Sequence, residues 1–264
     1  MRTLQLGLIR ADIEIRQFFR EKDTVFFTFA FPIVMLALLG ASFRHTFPGS
    51  HITVSQIYCT AMIGAGIMGV SFQNLGVSII VERKNGTLKR LHGTPMPLGS
   101  YFIGKMAQVL VISAVEVTIL LAMSVLIYGV RLPHAIGAWI TFSWVFILGI
   151  TASSLIAIAA TKLARSGKNA VIVITMPFVL LEFISGVFVP FTELPRWMSS
   201  IASVFPLAWM MEGVRSALLG TSGAVLERSG SYNLPLVALV LGVWSIGGFA
   251  LCLSTFRWSD GRSG

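Results

Sequence analysis

Six stretches of 20 to 30 residues run through this chain with at most one charged side chain in each: 24–43, 52–81, 106–130, 135–161, 169–192 and 234–256. About 20 predominantly apolar residues carry a helix across the hydrocarbon core of a bilayer. Inside that core each backbone N–H and C=O must be bonded within the protein, which a helix achieves locally. Composition agrees. Only 12% of the 264 residues are charged, about half the share of an average soluble domain. The expected fold class is therefore all-α integral membrane, with six transmembrane helices in one domain over 1–264. Cys59 and Cys252 both fall in apolar runs, so neither a disulfide framework nor a metal cluster is expected.

The remaining segments are assigned by charge and length. Residues 1–22 hold four arginines, one lysine and three acids with no apolar h-region, unlike a cleaved signal. On a helical wheel Leu4, Leu8, Ala11, Ile15, Phe18 and Phe19 fall in one stripe, with Arg2, Arg16 and Arg20 roughly opposite. This predicts an amphipathic helix lying at the membrane interface. A 15-residue apolar stretch, 197–211, is broken by Pro206 and too short to cross. It predicts a re-entrant piece within 193–215. With the N-terminus inside, 15 of the 20 Lys and Arg residues lie on the inner side, including all six lysines. The positive-inside bias thus places both termini in the cytoplasm. The net charge of +9 reads as orientation and contact with anionic lipid, not as affinity for nucleic acid.

Three motifs fail on context. GAGIMG at 64–69 has the G-x-G-x-x-G spacing but sits in an uncharged span, where a pyrophosphate has no place. It reads better as helix packing, since Ala61, Ala65 and Gly69 form a small-xxx-small ridge, echoed by Gly149, Ser153 and Ala157. GSYFIGKM at 99–106 matches a phosphate loop until Met106, where the metal-binding hydroxyl belongs. No ATP or magnesium site is expected in this chain. GTSG at 220–223 suggests a serine-protease turn, but His45, His51, His92 and His134 all precede it. Glu116 and Glu182 are different, because a carboxylate at mid-bilayer costs about 2.5–3.5 kcal/mol on insertion scales. They are candidates for a substrate path, together with Gln73 and Asn74, or else protonated interhelical struts. Gln56 poses a weaker form of the same question.

The loop VERKNGTLKRLHGTPMPLGSYFIGK at 81–105 and the segment SGVFVPFTELPRWMSSIASVFPLAWMMEGVR at 185–215 carry a resemblance. Together they resemble the membrane subunit of ABC-2 type transporters, in particular the daunorubicin-resistance-like drug and lipid exporters. Glu82, Arg83, Gly86, Thr87, Leu88, Thr94 and Pro95 match that family's first cytoplasmic loop. Gly186, Phe188, Pro190, Leu194, Pro195, Trp197, Pro206 and Arg215 match its pattern after the fifth span. Lys84 departs from the acid common in the family.

The resemblance implies a non-catalytic half-transporter of the bacterial cytoplasmic membrane. Two copies of a separate ABC ATP-binding subunit would hold ATP and magnesium, and a second permease, identical or a sister protein, would complete the pathway. Glu82 to Pro95, with Arg90 exposed, would contain the coupling helix that docks on the ATPase. On the residues alone, Gly86–Thr87 can start a short helix at 88–92. Residues 190–211 would form an outer re-entrant gate, and an amphiphilic drug, lipid or glycolipid would be exported. The competing expectation is a proton-coupled secondary carrier using Glu116 and Glu182. It would favour internal inverted repeats, and none is visible.

Overall fold

The computed structural model of the chain describes residues 2–42, 46, 52–164, 171–189, 191–227 and 229–255. Its regular elements are helices. The first, α1 (Arg2–Arg20), is followed after Glu21 by α2 (Lys22–Ser42). A long helix then runs as α3 (Val54–Met68), a π-helical segment (Gly69–Asn74) and α4 (Leu75–Lys84). Next come α5 (Thr87–His92), α6 (Leu98–Tyr128) and α7 (Ile136–Ala160). The last third holds α8 (Ile172–Ile184), α9 (Arg196–Ala202), α10 (Pro206–Leu219), a 3-10 turn (Gly220–Leu226) and α11 (Leu234–Thr255).

Five helices are long and apolar enough to cross a membrane: Lys22–Ala41, Val54–Lys84, Leu98–Tyr128, Ile136–Ala160 and Leu234–Ser254. These correspond to the first four expected spans and the sixth. Within the fifth expected span, 169–192, the described residues form the 13-residue apolar helix α8. Its continuation is stopped at Gly186, whose φ of +82° turns the chain back, and Phe191 packs over that turn. Residues 165–170, before α8, lie outside the described residues.

The long helix Val54–Lys84 is the axis of the bundle. Buried residues make up 72% of its most apolar window, against 17% for α2 and 22% for α11. It starts on a capping box, in which Thr53 N donates to Gln56 Oε1 at 2.9 Å and Gln56 N to Thr53 Oγ1 at 3.4 Å. Gln56 is thereby a capping residue. Within the π-helical segment Ser71 Oγ donates to Ile67 O at 2.6 Å, a back-bond of the kind that bends helices. Around this axis pack α2, α6, α7 and α10. The last of these is a core helix, with Leu207, Met210, Met211 and Val214 fully buried. Met210 fills the gap left by Gly149 and Met211 the gap left by Gly64, so that a Cβ on either glycine would strike methionine sulfur. The small-residue ridges thus mark contacts within the chain.

The first helix divides the expected stripe between two sides, with Ala11 and Phe18 inward and Leu4, Leu8 and Phe19 outward. It lies along α6, and its buried face is Gly7, Ala11, Glu14 and Phe18. Leu4, Leu8 and Phe19 of the expected stripe point outward with Ile9 and Ile13. The reason is the partner surface: α6 presents a buried lysine to which Glu14 must turn, leaving the apolar residues to meet the membrane interface.

The α1–α6 crossing depends on Gly104, where a Cβ would stand 2.6 Å from Arg10 Cγ and 3.3 Å from Ala11 N. Gly104→Val is expected to lever α1 off α6 at a cost of about 1–3 kcal/mol. Limited proteolysis should then cut within residues 2–20 of the variant while the remaining bundle stays protected.

Candidate functional site

A buried group of charges sits where α1, α4 and α6 meet. Lys105 is completely buried. Its ammonium donates to Glu82 Oε1 at 2.6 Å, Ser78 Oγ at 2.8 Å and Glu14 Oε2 at 2.9 Å. All three donors of the amine are used. Arg10 pairs with Glu14 one turn away and approaches Glu82 Oε1 at 3.8 Å. Tyr101, also fully buried, donates its hydroxyl to Glu82 Oε2 at 2.8 Å. The Arg10 guanidinium and Lys105 amine stand 6.0 and 5.9 Å from the Tyr101 ring centroid. Two cations face two carboxylates, so the group is neutral, which is the condition for burying charge.

The sequence signal for Lys105 was present but belonged to another element. Treated as the end of a basic loop, it is in fact the eighth residue of α6, which begins at Leu98 behind Pro97. Pro97 cannot continue a helix from upstream but caps one well. Glu14 was visible only as the i+4 partner of Arg10.

The loop after α4 carries the matched residues of the first motif. Gly86 has φ +72°, a conformation costly for residues with a Cβ, and it turns the chain into α5. Leu88 is fully buried and anchors α5, whereas Lys89, Arg90, His92, Thr94 and Pro95 are exposed. Thr87 and the Asn85 carbonyl accept from Arg90 Nη2, each at 3.4 Å. Glu82 and Arg83 face inward. Arg83 donates to Thr161 O at 2.9 Å and Thr161 Oγ1 at 3.2 Å, tying the end of α4 to that of α7.

Glu116, on α6, is 2% exposed and rests on Gly66 of α3, whose Cβ would lie 2.7 Å from the carboxyl carbon. Its Oε2 accepts no hydrogen bond among the described residues. Glu182 is buried on α8, and Asn74 donates to Thr28 Oγ1 at 2.9 Å. No hydrogen bond or ion pair among the described residues joins Glu116, Glu182, Gln73 and Asn74 to one another.

At the other end of the bundle α9 and α10 form a helix–turn–helix. Pro195 caps α9 and Pro206 opens α10, positions where the missing N–H is harmless. Tyr58 donates to Phe188 O at 3.3 Å, Leu194 is buried and Trp197 is exposed. Trp244 of α11 donates to Val204 O at 2.8 Å and stacks on Phe205. Pro190 lies outside the described residues. Arg215 is buried against Glu227, 2.6 Å from Nε to Oε1. Close by, Glu212 Oε1 accepts from Asn233 N at 2.6 Å. Burial pushes the Glu212 carboxyl above its ordinary range, and the Asn233 hydrogen bond opposes that shift.

The family described as ABC-2 type transporter matches residues 8–219, from α1 through α10. The protein named "Probable multidrug ABC transporter permease YbhR" of Escherichia coli (strain K12) is 24% identical over 131 residues, covering 50% of this chain and 35% of its own length. "Putative transport permease YvfS" of Bacillus subtilis (strain 168) is 24% identical over 197 residues, covering 73% of this chain and 77% of its own. "Putative transport permease ycf38" of Porphyra purpurea is 26% identical over 206 residues, covering 75% and 69%. The similarity to YbhR thus spans about a third of that protein's length.

Removing Lys105 leaves two carboxylates sharing Arg10 alone. Lys105→Met is expected to cost about 3–5 kcal/mol, read as a lowered thermal midpoint in detergent. Adding Glu82→Gln should recover a substantial part of that loss, because it removes the uncompensated charge. At the opposite end, the raised Glu212 value has a defined sign. Its ionisation opposes folding, so the cost is absent below the ordinary carboxylate value of 4.5 and grows as pH rises through the higher folded value. Glu212→Gln keeps an acceptor for Asn233, and should raise the midpoint at pH 8 while leaving it unchanged at pH 4.

Proposed function

Because the chain belongs to the ABC-2 type transporter family, we propose that it is the membrane permease of an ATP-driven exporter in the bacterial cytoplasmic membrane. Both termini and α5 face the cytoplasm in this reading, in keeping with the distribution of lysine and arginine. Two copies of a separate ATP-binding subunit supply ATP and magnesium, and a second permease, identical or sister, completes the pathway. The exported substrate is an amphiphilic drug, lipid or glycolipid. The printed name of the relative YbhR, a multidrug ABC transporter permease, supports the drug class.

The observation that carries the reading is α5. A six-residue helix, anchored by one buried leucine and presenting Lys89, Arg90 and His92 at the surface, is shaped to be pushed. Its base is joined through Glu82 and Arg83 to α1, α6 and α7 at once. Closure of the ATPases on bound nucleotide would displace α5, and the joined helices would follow as a body. Chemistry in this chain is not required, since a transporter moves between states through differential contacts. At the far end, the exit gate of this reading is the α9–α10 hairpin with Gly186, Phe188, Leu194, Pro195, Trp197 and Pro206, and Arg215 would hold its base.

A second reading, a proton-coupled carrier, draws on Glu116, whose Oε2 has no hydrogen-bond partner among the described residues. It requires transport by this chain without nucleotide, abolished by Glu116→Gln.

The test is co-purification with the ATP-binding subunit and substrate-stimulated ATP hydrolysis in proteoliposomes. The double reversal Lys89→Glu/Arg90→Glu should weaken assembly by about tenfold or more and reduce stimulation in step, with the thermal midpoint unchanged. Retained assembly and stimulation in that variant would place the docking surface elsewhere.

A further inference from the structure

A cleft of about 230 Å³ opens between α1, the start of α2, the π-helical segment with α4, and α6. We infer that this cleft, within a single permease chain, binds the head of an amphiphile bearing one ammonium group on an apolar chain. Three carboxylates line it, Glu14, Glu21 and Glu82, and among the described residues no lysine or arginine does. Lys105 and Arg10 neutralise Glu14 and Glu82 from behind the wall. Glu21 has no cation within ion-pair distance among the described residues. Among the described residues it accepts from Gln17 Nε2 at 3.2 Å and Thr24 Oγ1 at 3.3 Å, and a carboxylate offers about four acceptor sites. The lining therefore carries one uncompensated negative charge.

The deeper wall is of the other character. Val70 and Leu75 come from the π-helical segment and the start of α4, and Val109 and Ile112 from α6; all four are buried. The wider turn of the π-helical segment also brings Asn74 into the lining. A polar, acidic mouth over an apolar floor suits a cationic head with a hydrocarbon body. The three acids do not converge, and among the described residues no group of three potential metal ligands comes together. A divalent metal is thus a poor occupant, and an anionic head is repelled. The volume is below the ~300–1,000 Å³ of a drug-sized pocket. It admits the head and the first stretch of chain, and the rest leaves past the exposed Val81.

Such an ammonium comes from an aminophospholipid of the surrounding membrane or from a soluble lipophilic amine. The experiment uses the full-length protein in dodecyl maltoside micelles, titrated with dodecylamine carrying a fluorophore at its far end. The matched dodecanol conjugate is the control. Saturable anisotropy is expected for the amine only. Glu21→Gln should weaken it by about tenfold or more, the value of a charge-assisted hydrogen bond. Val109→Phe, which fills the floor, should do the same, with thermal midpoints confirming that both variants fold. Competition by added phosphatidylethanolamine, but not phosphatidylglycerol, assigns the site to membrane lipid. Binding indifferent to both lipids assigns it to a soluble amine. Equal binding of the dodecanol conjugate, or unchanged affinity in both variants, overturns the inference. Since the readout needs neither ATPase nor transport, its result is separable from that of the permease reading.

Discussion

Lys105 cannot be buried without its company. A charged amine removed from water costs several kcal/mol unless it is paired and its donors are filled, and here each of its three bonds reaches a different support. Glu14 belongs to α1, while Ser78 and Glu82 lie one turn apart on α4. The lysine thereby fixes the distance between three helices and the rotation of each. The same requirement turns α1 over, so that its Arg10–Glu14 face points inward and its leucines and isoleucines point out. Gly7 and Gly104 permit the approach, being the positions where α1 and α6 come too close for a Cβ. Charge specifies the arrangement here, and small residues make it sterically feasible.

The opposite end is organised by volume. Met210 and Met211 of α10 enter gaps left by Gly149 and Gly64, an adaptable side chain seated against bare backbone. Two side chains from the middle of α10, Arg215 on Glu227 and Glu212 on the Asn233 amide, tie it to the segment that follows. Between the two ends runs one helix, broken midway by six π-helical residues. Such segments are uncommon and concentrate at functional sites, and this one lines the acidic cleft while bonding α2 through Asn74 and Thr28.

The architecture was largely legible because hydropathy over 20 residues is a strong signal, and five spans stand within a few residues of expectation at most of their ends. The short helix at Thr87–His92 was legible too, from Gly86 ahead of a helix-compatible run. Where reading failed, the cause was tertiary. The helical wheel of α1 ranks residues by hydropathy and cannot know that α6 offers a lysine, so it passed over Glu14, which is buried between Ala11 and Phe18. The start of α6 was placed at 106 because Lys105 looked like the edge of a span, when its charge is met inside the bundle. The fifth span looked long enough by composition, yet Gly186 ends it through backbone conformation, which hydropathy does not encode. Nothing in the sequence distinguishes Gly69–Asn74 as a π-helical segment.

The neutral group around Lys105 also bears on how force would cross the protein in the proposed mechanism. A single surface contact between α5 and the bundle would let the helix move alone, since one exposed ion pair is worth about 1 kcal/mol or less. Leu88 supplies a buried anchor. Glu82, at the base of the loop, is held by Lys105 and Tyr101, and its neighbour Arg83 is held by Thr161 of the turn after α7. Displacing α5 without α1, α6 and α7 would strand a buried charge, which is costlier than moving the helices together. The compliant point in this mechanism would be the π-helical segment above, where the regular α-helical bonding of the axis is interrupted. Motion imposed at α5 would be absorbed there, beside the cleft, before it reaches the packed methionines of α10. On this account the cleft and the loop are mechanically adjacent, and an occupant wedged against Asn74 and Val109 would bias the same equilibrium that α5 drives.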